Sequence, residues 1–292
     1  MKTILVLTDF SINADYAAHY ALKLAQKIEA NLLLCNIYEL PQGDNITDRK
    51  AWPLEACEQN SIQDLGELVA RLKAQIDKDD KSLFRPEINQ CSQSGAVIDH
   101  INEIARNNEA VMGVISRHDA GWLSTLLSGN HTRDIIESAD FPILMIPYQV
   151  RFNNYKSIAF ATAMNYTDIT VLESLTGLAK HMNSEIVVTQ VTDAFSDKNF
   201  ELKELKHFFN QIPGKINYPK IRYHILENRT IINGLTWLAN NVEIDLLVLV
   251  HRRRNWMQSF LSGSITQQFA VFFNKPLLIF PCYKVKEALT VF

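Results

Sequence analysis

The chain has 292 residues, of which 47% are apolar and 21% charged, with only 10 Gly and 9 Pro. That length suggests about two domains of roughly 150 residues each, and the composition excludes a disordered or collagen-like chain. The net charge of −3 supplies no global basic field toward nucleic acid or membrane. The charge is uneven, however: residues 1–150 hold 13 basic and 21 acidic side chains (net −8), and residues 151–292 hold 16 and 11 (net +5). Two readings fit this: attraction between the halves or head-to-tail association, and ordinary surface drift.

The first apolar run, Ile4 to Leu7, ends at Thr8-Asp9 and reads as a strand buried on both faces. Ser11 is placed to cap a helix over Asn13 to Ile28, whose stripe is Ala17, Ala18, Ala21, Leu22, Leu24 and Ala25. Asn31 to Ile37 is a second buried strand. Pro41, Gly43 and Pro53 mark Glu39 to Glu55 as a loop. A helix over Ala56 to Lys78, a strand over Glu87 to Cys91 and a helix over Ala96 to Asn107 follow. Ala110 to Ile115 is a strand, His131 to Ser138 a helix, and Pro142 to Ile146 the last strand of this half. Alternation of this kind calls for a parallel sheet with helices on both faces.

The second half repeats the pattern with strands at Lys156 to Thr162, Glu185 to Val191, Asp245 to Val250 and Pro276 to Phe280. Thr8 matches Thr162 at an offset of 154, whereas Gly129 and Gly263, Pro142 and Pro276, and Pro147 and Pro281 match at 134. About 20 extra residues therefore lie between the second and third strands of the first half. Internal duplication is the strongest organisational signal in the chain. It predicts domains over residues 1–149 and 154–292, joined by the short polar stretch Gln149 to Asn154. The fold expected is α/β, as two repeated doubly wound domains, each a five-stranded parallel sheet with helices on both faces. The fifth strands are expected to be short apolar edges that pair within the chain.

Four cysteines, Cys35, Cys57, Cys91 and Cys282, form no C-x-x-C and no zinc spacing, so no metal is expected. Cys35 reads as a small buried hydrophobe. The N-terminus turns polar too soon for a signal peptide. No run approaches the roughly 18 apolar residues of a membrane span. The expected compartment is the cytoplasm, without membrane or nucleic-acid partners.

The block that survives duplication best is Trp122 to Thr132 (WLSTLLSGNHT) against Trp256 to Thr266 (WMQSFLSGSIT). A glycine leading into a helix lets the backbone approach a ligand, and the exposed N–H groups favour an anion. The alternative is a simple turn and N-cap. Asp9 likewise has two readings: a ligand contact at the strand end, or the N-cap of the first helix. His251 and Arg252 to Arg254 form a basic run that either binds an anion or an acidic surface, or is a solvated loop. Trp122 and Trp256 pack their loops or stack on a ligand. His118 and His131 lie near the loop, but no nucleophile–base arrangement accompanies them, and no dinucleotide or P-loop fingerprint occurs.

The opening Leu5-Val6-Leu7-Thr8-Asp9-Phe10-Ser11, the Ala-rich first helix and the paired loop blocks resemble the universal stress protein family, twice over and across nearly the whole chain. The resemblance implies a flavodoxin-like outline. In many members it also implies ATP bound through a G-x2-G-x9-G-[ST] loop and an Asp at the end of the first strand. Dimerisation through the fifth strand is common in the family. In the first half, Asp9 stands in the Asp position and Ile37 flanks the base. The loop positions fall on Ser116, Asp119, Gly129 and Asn130. In the second half they fall on Val250, Arg253, Gly263 and Ser264, and the Asp position on Ala163. Replacing a glycine that needs its special backbone costs about 1 kcal/mol or more, Asp119 repels a phosphate, and about 1.4 kcal/mol is tenfold in affinity.

The expectation is therefore a non-enzymatic stress-response binding or sensing protein with weakened or lost ATP binding. Its ligand would be a small molecule or anion, and it could form a homo-oligomer. If an adenine nucleotide binds, Asp9, Ile37, Gly129 and Asn130 of the first half hold it. The competing readings are a weak ATPase in the first domain and a purely structural interaction module.

Overall fold

A computed structural model describes residues 1–38, 54–117, 131–192, 208, 216–228, 230–251 and 274–281. The chain divides into two compact units, Met1–Phe152 and Asn153–Phe292. Unit 1 contains β1 (Thr3–Leu7), α1 (Ile12–Ile28), β2 (Asn31–Tyr38), α2 (Leu54–Lys78), β3 (Ile88–Ser94), α3 (Val97–Asn107), β4 (Ala110–Ser116), α4 (His131–Ser138) and β5 (Ile143–Ile146). Its strands are all parallel, in the order β3-β2-β1-β4-β5.

That order fixes where the helices lie. Right-handed crossovers from β1 to β2 and from β2 to β3 step the same way, so α1 and α2 cover one face. The step from β3 back to β4, and on to β5, puts α3 and α4 on the other. Side chains agree with both pairings. Along α1 and α2, Asp15 meets Arg71, His19 meets Gln75 and Lys23 meets Asp79, each rung 56 residues apart. At the end of α4, Asn102 of α3 donates to the Ser138 carbonyl at 2.8 Å and accepts from the Asp140 amide at 2.8 Å.

The core of unit 1 sits between these layers. Ile4, Leu5 and Val6 of β1 are fully buried, and each such side chain contributes about 1.5–3 kcal/mol relative to exposure. Ala17, Ala18, Ala21 and Ala25 bring α1 down onto the sheet. Tyr20 is buried and meets Phe152 edge to face at 5.3 Å, so the chain stays packed on unit 1 through that residue.

Unit 2 contains β6 (Ser157–Ala161), α5 (Tyr166–Met182), β7 (Glu185–Thr192), β8 (Ile221–Glu227), α6 (Ile231–Asn241), β9 (Leu246–His251) and β10 (Leu277–Pro281). Its parallel strands run β8-β7-β6-β9-β10. The third strand, β8, is the one that the sequence reading did not place.

Backbone details recur between the units at the offsets read from the sequence. Glu29 and Asn183, 154 apart, both end a helix in left-handed backbone (φ 56° and 58°). Gly113 donates to the Pro142 carbonyl as Leu247 does to Pro276, at 2.8 and 3.0 Å, with both partners shifted by 134. Among the described residues no helix is long and apolar enough to cross a membrane.

Candidate functional site

Ligands of open parallel sheets bind at the C-terminal strand ends, beside the point where the strand order reverses. In unit 1 that point lies between β1 and β4, and Asp9 follows β1 there. Thr8 extends the ladder by donating its amide to the Cys35 carbonyl at 2.9 Å. Its hydroxyl then accepts the Phe10 amide at 3.1 Å, and Phe10 turns the chain in left-handed backbone at φ 60°. Asp9 Oδ1 accepts the Ser11 amide at 3.0 Å, and Ser11 Oγ accepts the Ala14 amide at 3.2 Å. Ser11 is therefore the helix cap, as expected. Of the two readings of Asp9, the N-cap is set aside because Ser11 caps α1; the Asp9 carboxylate accepts the Ser11 amide and stays exposed at the sheet edge.

A chain of polar groups, buried at Asn36 and Ser61 and half-buried at Ser92, holds this turn from below. Asn36 Nδ2 donates to the Thr8 carbonyl at 2.7 Å, Ser61 Oγ of α2 donates to Asn36 Oδ1 at 2.9 Å, and Ser92 Oγ of β3 donates to Ser61 Oγ at 2.7 Å. On the other side, Asn13 Nδ2 donates to the Arg117 carbonyl at 3.2 Å, tying α1 to the exit of β4. Arg117 is itself buried, and its amide donates to the Ile146 carbonyl at 2.9 Å. A satisfied polar chain in a low-dielectric setting is stiff, because breaking one link strands a buried group.

Unit 2 builds the same turn with different chemistry. Thr162 donates its amide to the Thr189 carbonyl at 2.9 Å, its hydroxyl accepts the Met164 amide at 2.8 Å, and Met164 is left-handed at φ 58°. The residue in the place of Asp9 is Ala163. A carboxylate is nevertheless present. Asp168, in the first turn of α5 and fully buried, accepts from Thr162 Oγ1 at 2.7 Å, the Ala163 amide at 3.0 Å and the Asn165 amide at 3.3 Å. In unit 1 the carboxylate faces outward from the turn. In unit 2 it lies beneath the turn and is spent on the protein's own donors.

Of the predicted site residues, the structure brings Asp9, Ile37 and Ser116 to the C-terminal ends of the neighbouring strands β1, β2 and β4. Ile37 and Ser116 are half-buried. Asp119, Gly129, Asn130, Arg253, Gly263 and Ser264 lie outside the described residues, as do Trp122, Trp256, His118 and Arg252 to Arg254. Sequence reasoning missed Asn36, Ser61, Ser92, Arg117 and Asp168. Only Asp168 left a usable signal, since Asn165-x-x-Asp168 has the spacing of a capping box. Among the described residues no group of three or more His, Cys, Asp or Glu is placed to hold a metal ion.

Comparison with known proteins bears on this arrangement. The sequence pattern of the universal stress protein family matches residues 1–147. No curated protein matches the sequence. Among solved structures, a universal stress protein from Archaeoglobus fulgidus superposes with a TM-score of 0.72 at 13% identity, covering 96% of each chain. A putative universal stress protein from Pseudomonas aeruginosa gives 0.58 at 11% identity, over 99% of this chain and 96% of that one. The cytoplasmic domain of a prokaryotic cation chloride cotransporter gives 0.53 at 7% identity, over 99% and 97%. At these identities the likeness establishes the fold, which is the α/β architecture expected from the sequence. With the family pattern matched over half its length, the chain belongs to the universal stress protein family.

Proposed function

We propose that this protein is a cytoplasmic, non-enzymatic binding or sensing protein of the stress response, in which unit 1 takes a weakly held adenine nucleotide and unit 2 does not. The observation that carries the reading is the contrast between the two turns. Asp9 is exposed at a strand end, where a carboxylate can accept from an adenine amino or ribose hydroxyl group. Ala163 offers no such acceptor, and Asp168 is occupied by three donors of its own turn. Ser116 and Asp119 in place of loop glycines argue for a ligand with fewer phosphates than ATP. The pairing of the two apolar fifth strands belongs to the same proposal and rests on the rule that sheet edges are covered.

Calorimetry with ATP and AMP on the full chain tests the reading. Weak binding that weakens at least tenfold in Asp9→Ala, with AMP bound as well as ATP, supports it. Tight ATP binding indifferent to Asp9, binding that is lost in Gly263→Val, or ATP turnover would overturn it.

A further inference from the structure

We propose that Cys35 and Cys91 are a peroxide-sensitive dithiol in unit 1, in which Cys91 takes the first oxidation and Cys35 closes a reversible disulfide. The two are register partners in the parallel β2–β3 ladder. Adjacent strands lie roughly 4.7–4.9 Å apart, inside the roughly 4.4–6.8 Å range of Cα separations that a disulfide spans. Register partners also share a face of the sheet. The next pair along, Asn36 and Ser92, reaches Ser61 of α2. By strand alternation the two sulfurs therefore sit together on the opposite face.

The pair is asymmetric in the way such chemistry needs. Cys91 is on the outermost strand of unit 1 and half-exposed, whereas Cys35 is fully buried. The Cys35 thiol donates a hydrogen bond to the Cys91 sulfur, which brings the Cys91 thiol down to about 7. The same hydrogen bond, together with burial, pushes Cys35 up. Cys91 is thus the thiolate that meets solvent, and Cys35 the thiol held against it. Cys57 cannot substitute for either. It lies on α2 and acts on Tyr38, which shares the α2-facing side with Asn36.

The steps balance with hydrogen peroxide as the oxidant. The Cys91 thiolate attacks one peroxide oxygen and the O–O bond breaks. This gives the Cys91 sulfenic acid and hydroxide, which takes a proton to become water. The Cys35 sulfur then displaces the sulfenic hydroxyl. The S–S bond forms, the S–O bond breaks, and the Cys35 proton leaves with the hydroxide as a second water. Two thiols are oxidised by two electrons and one peroxide is reduced to two waters.

The test treats the full chain with equimolar hydrogen peroxide, blocks remaining thiols with N-ethylmaleimide and maps the peptides by mass. The chain is used unmutated and with Cys57→Ser and Cys282→Ser together. The expected result is a linked Cys35–Cys91 peptide, lighter by two hydrogens and released by dithiothreitol. Half ionisation at pH 7, offset by the lower nucleophilicity of a more acidic thiol, predicts reaction about threefold faster than an unperturbed thiol. Adding Cys35→Ala should stop the reaction at a Cys91 sulfenic acid that dimedone traps. The unmutated chain keeps the test valid if that variant fails to fold. Disulfides to Cys57 or Cys282 instead, Cys91 driven to the sulfinic acid while Cys35 stays reduced, or Cys91 reacting no faster than Cys57 would each overturn the proposal.

Discussion

Phe10 and Met164, 154 residues apart, hold the same left-handed backbone at φ 60° and 58°, each with its amide given to the threonine hydroxyl two residues before it. Neither is glycine, and a bulky side chain at positive φ is uncommon. The two turns therefore keep one costly shape while their carboxylates differ in place. In unit 1 the acid is in the turn itself. In unit 2 it comes from the helix that follows, at the position matching Ala14. The shape of the strand exit and its chemistry are thus separable.

Removing the buried carboxylate should therefore cost stability where removing the exposed one does not. Asp168→Ala removes a fully buried acceptor shared by the buried Thr162 hydroxyl and two part-buried backbone amides. Hydrogen bonds to a charged group are worth about 1.5–3 kcal/mol each and are not additive, so a loss of about 3–4 kcal/mol is expected. Asp9→Ala removes an exposed carboxylate that accepts the Ser11 amide and should cost less than about 1 kcal/mol. Urea unfolding of both variants checks this, and equal costs would contradict the assignment of Asp168 as the clamp of unit 2.

Asn36 should link stability to the site. Asn36→Ala leaves both the Thr8 carbonyl and the Ser61 hydroxyl short of a partner, at a cost of about 2 kcal/mol. Ser61→Ala breaks both its bond to Asn36 and the one it accepts from the half-buried Ser92, and should cost about 1 kcal/mol. Because they share a bond, the double variant should fall short of the sum by at least about 0.5 kcal/mol. The cycle is read from denaturant midpoints, and strict additivity would show that the chain does not act as a unit.

How much of this the sequence carried follows from where each signal lives. β1 was legible because a parallel strand buried on both faces is a continuous apolar run, and Ile4 to Leu7 is one. α1 was legible from its alanine stripe and Ser11. Edge strands were harder. β3 reads INQCSQS and runs to Ser94, three residues beyond the expected end, because its polar residues face Ser61 and solvent. β8, IRYHILE, mixes charge and aromatic residues and gave no clear period. At the site, Asp9 stood out because strand ends are where carboxylates meet ligands. Asn36 and Ser61 did not, since their pairing joins residues 25 apart across a strand and a helix. Asp168 reaches backward from a helix turn, a contact that no strand-end motif contains.

The rungs between α1 and α2 should differ by burial and not by charge. Asp79 is the more enclosed of the two carboxylates in the ladder, with 17% of its side chain exposed against 36% for Asp15, and accepts from Lys23 at 2.6 Å and Gln26 at 3.0 Å. Asp79→Ala should cost about 1–2 kcal/mol. Arg71, half-exposed opposite Asp15 at 2.7 Å, should cost under about 0.5 kcal/mol on changing to Ala, and that cost should vanish in 1 M salt. Thermal melts at two salt concentrations separate the cases. A large, salt-sensitive loss at Arg71 would mean that the ladder is held by its exposed charges.

Two glycines should respond to alanine with opposite signs. Gly66 lies in the exposed middle of α2, where an added Cβ meets nothing within 4 Å. Gly66→Ala should stabilise by about 0.5–1 kcal/mol, because alanine loses less backbone freedom on entering a helix. Gly234 is in the first turn of α6 and packs on β7. A Cβ there would stand 2.6 and 2.8 Å from the two methyl carbons of Val191. Since Val191 is β-branched, it cannot swing away without leaving its rotamer. Gly234→Ala should therefore destabilise by about 1–3 kcal/mol through overpacking. Shortening the partner provides the internal check: in the Val191→Ala background the same change should cost less than about 1 kcal/mol, a coupling a double-mutant cycle reads directly. If Gly234→Ala costs the same with and without the Val191 methyls, the close approach of α6 to β7 is not what requires glycine there.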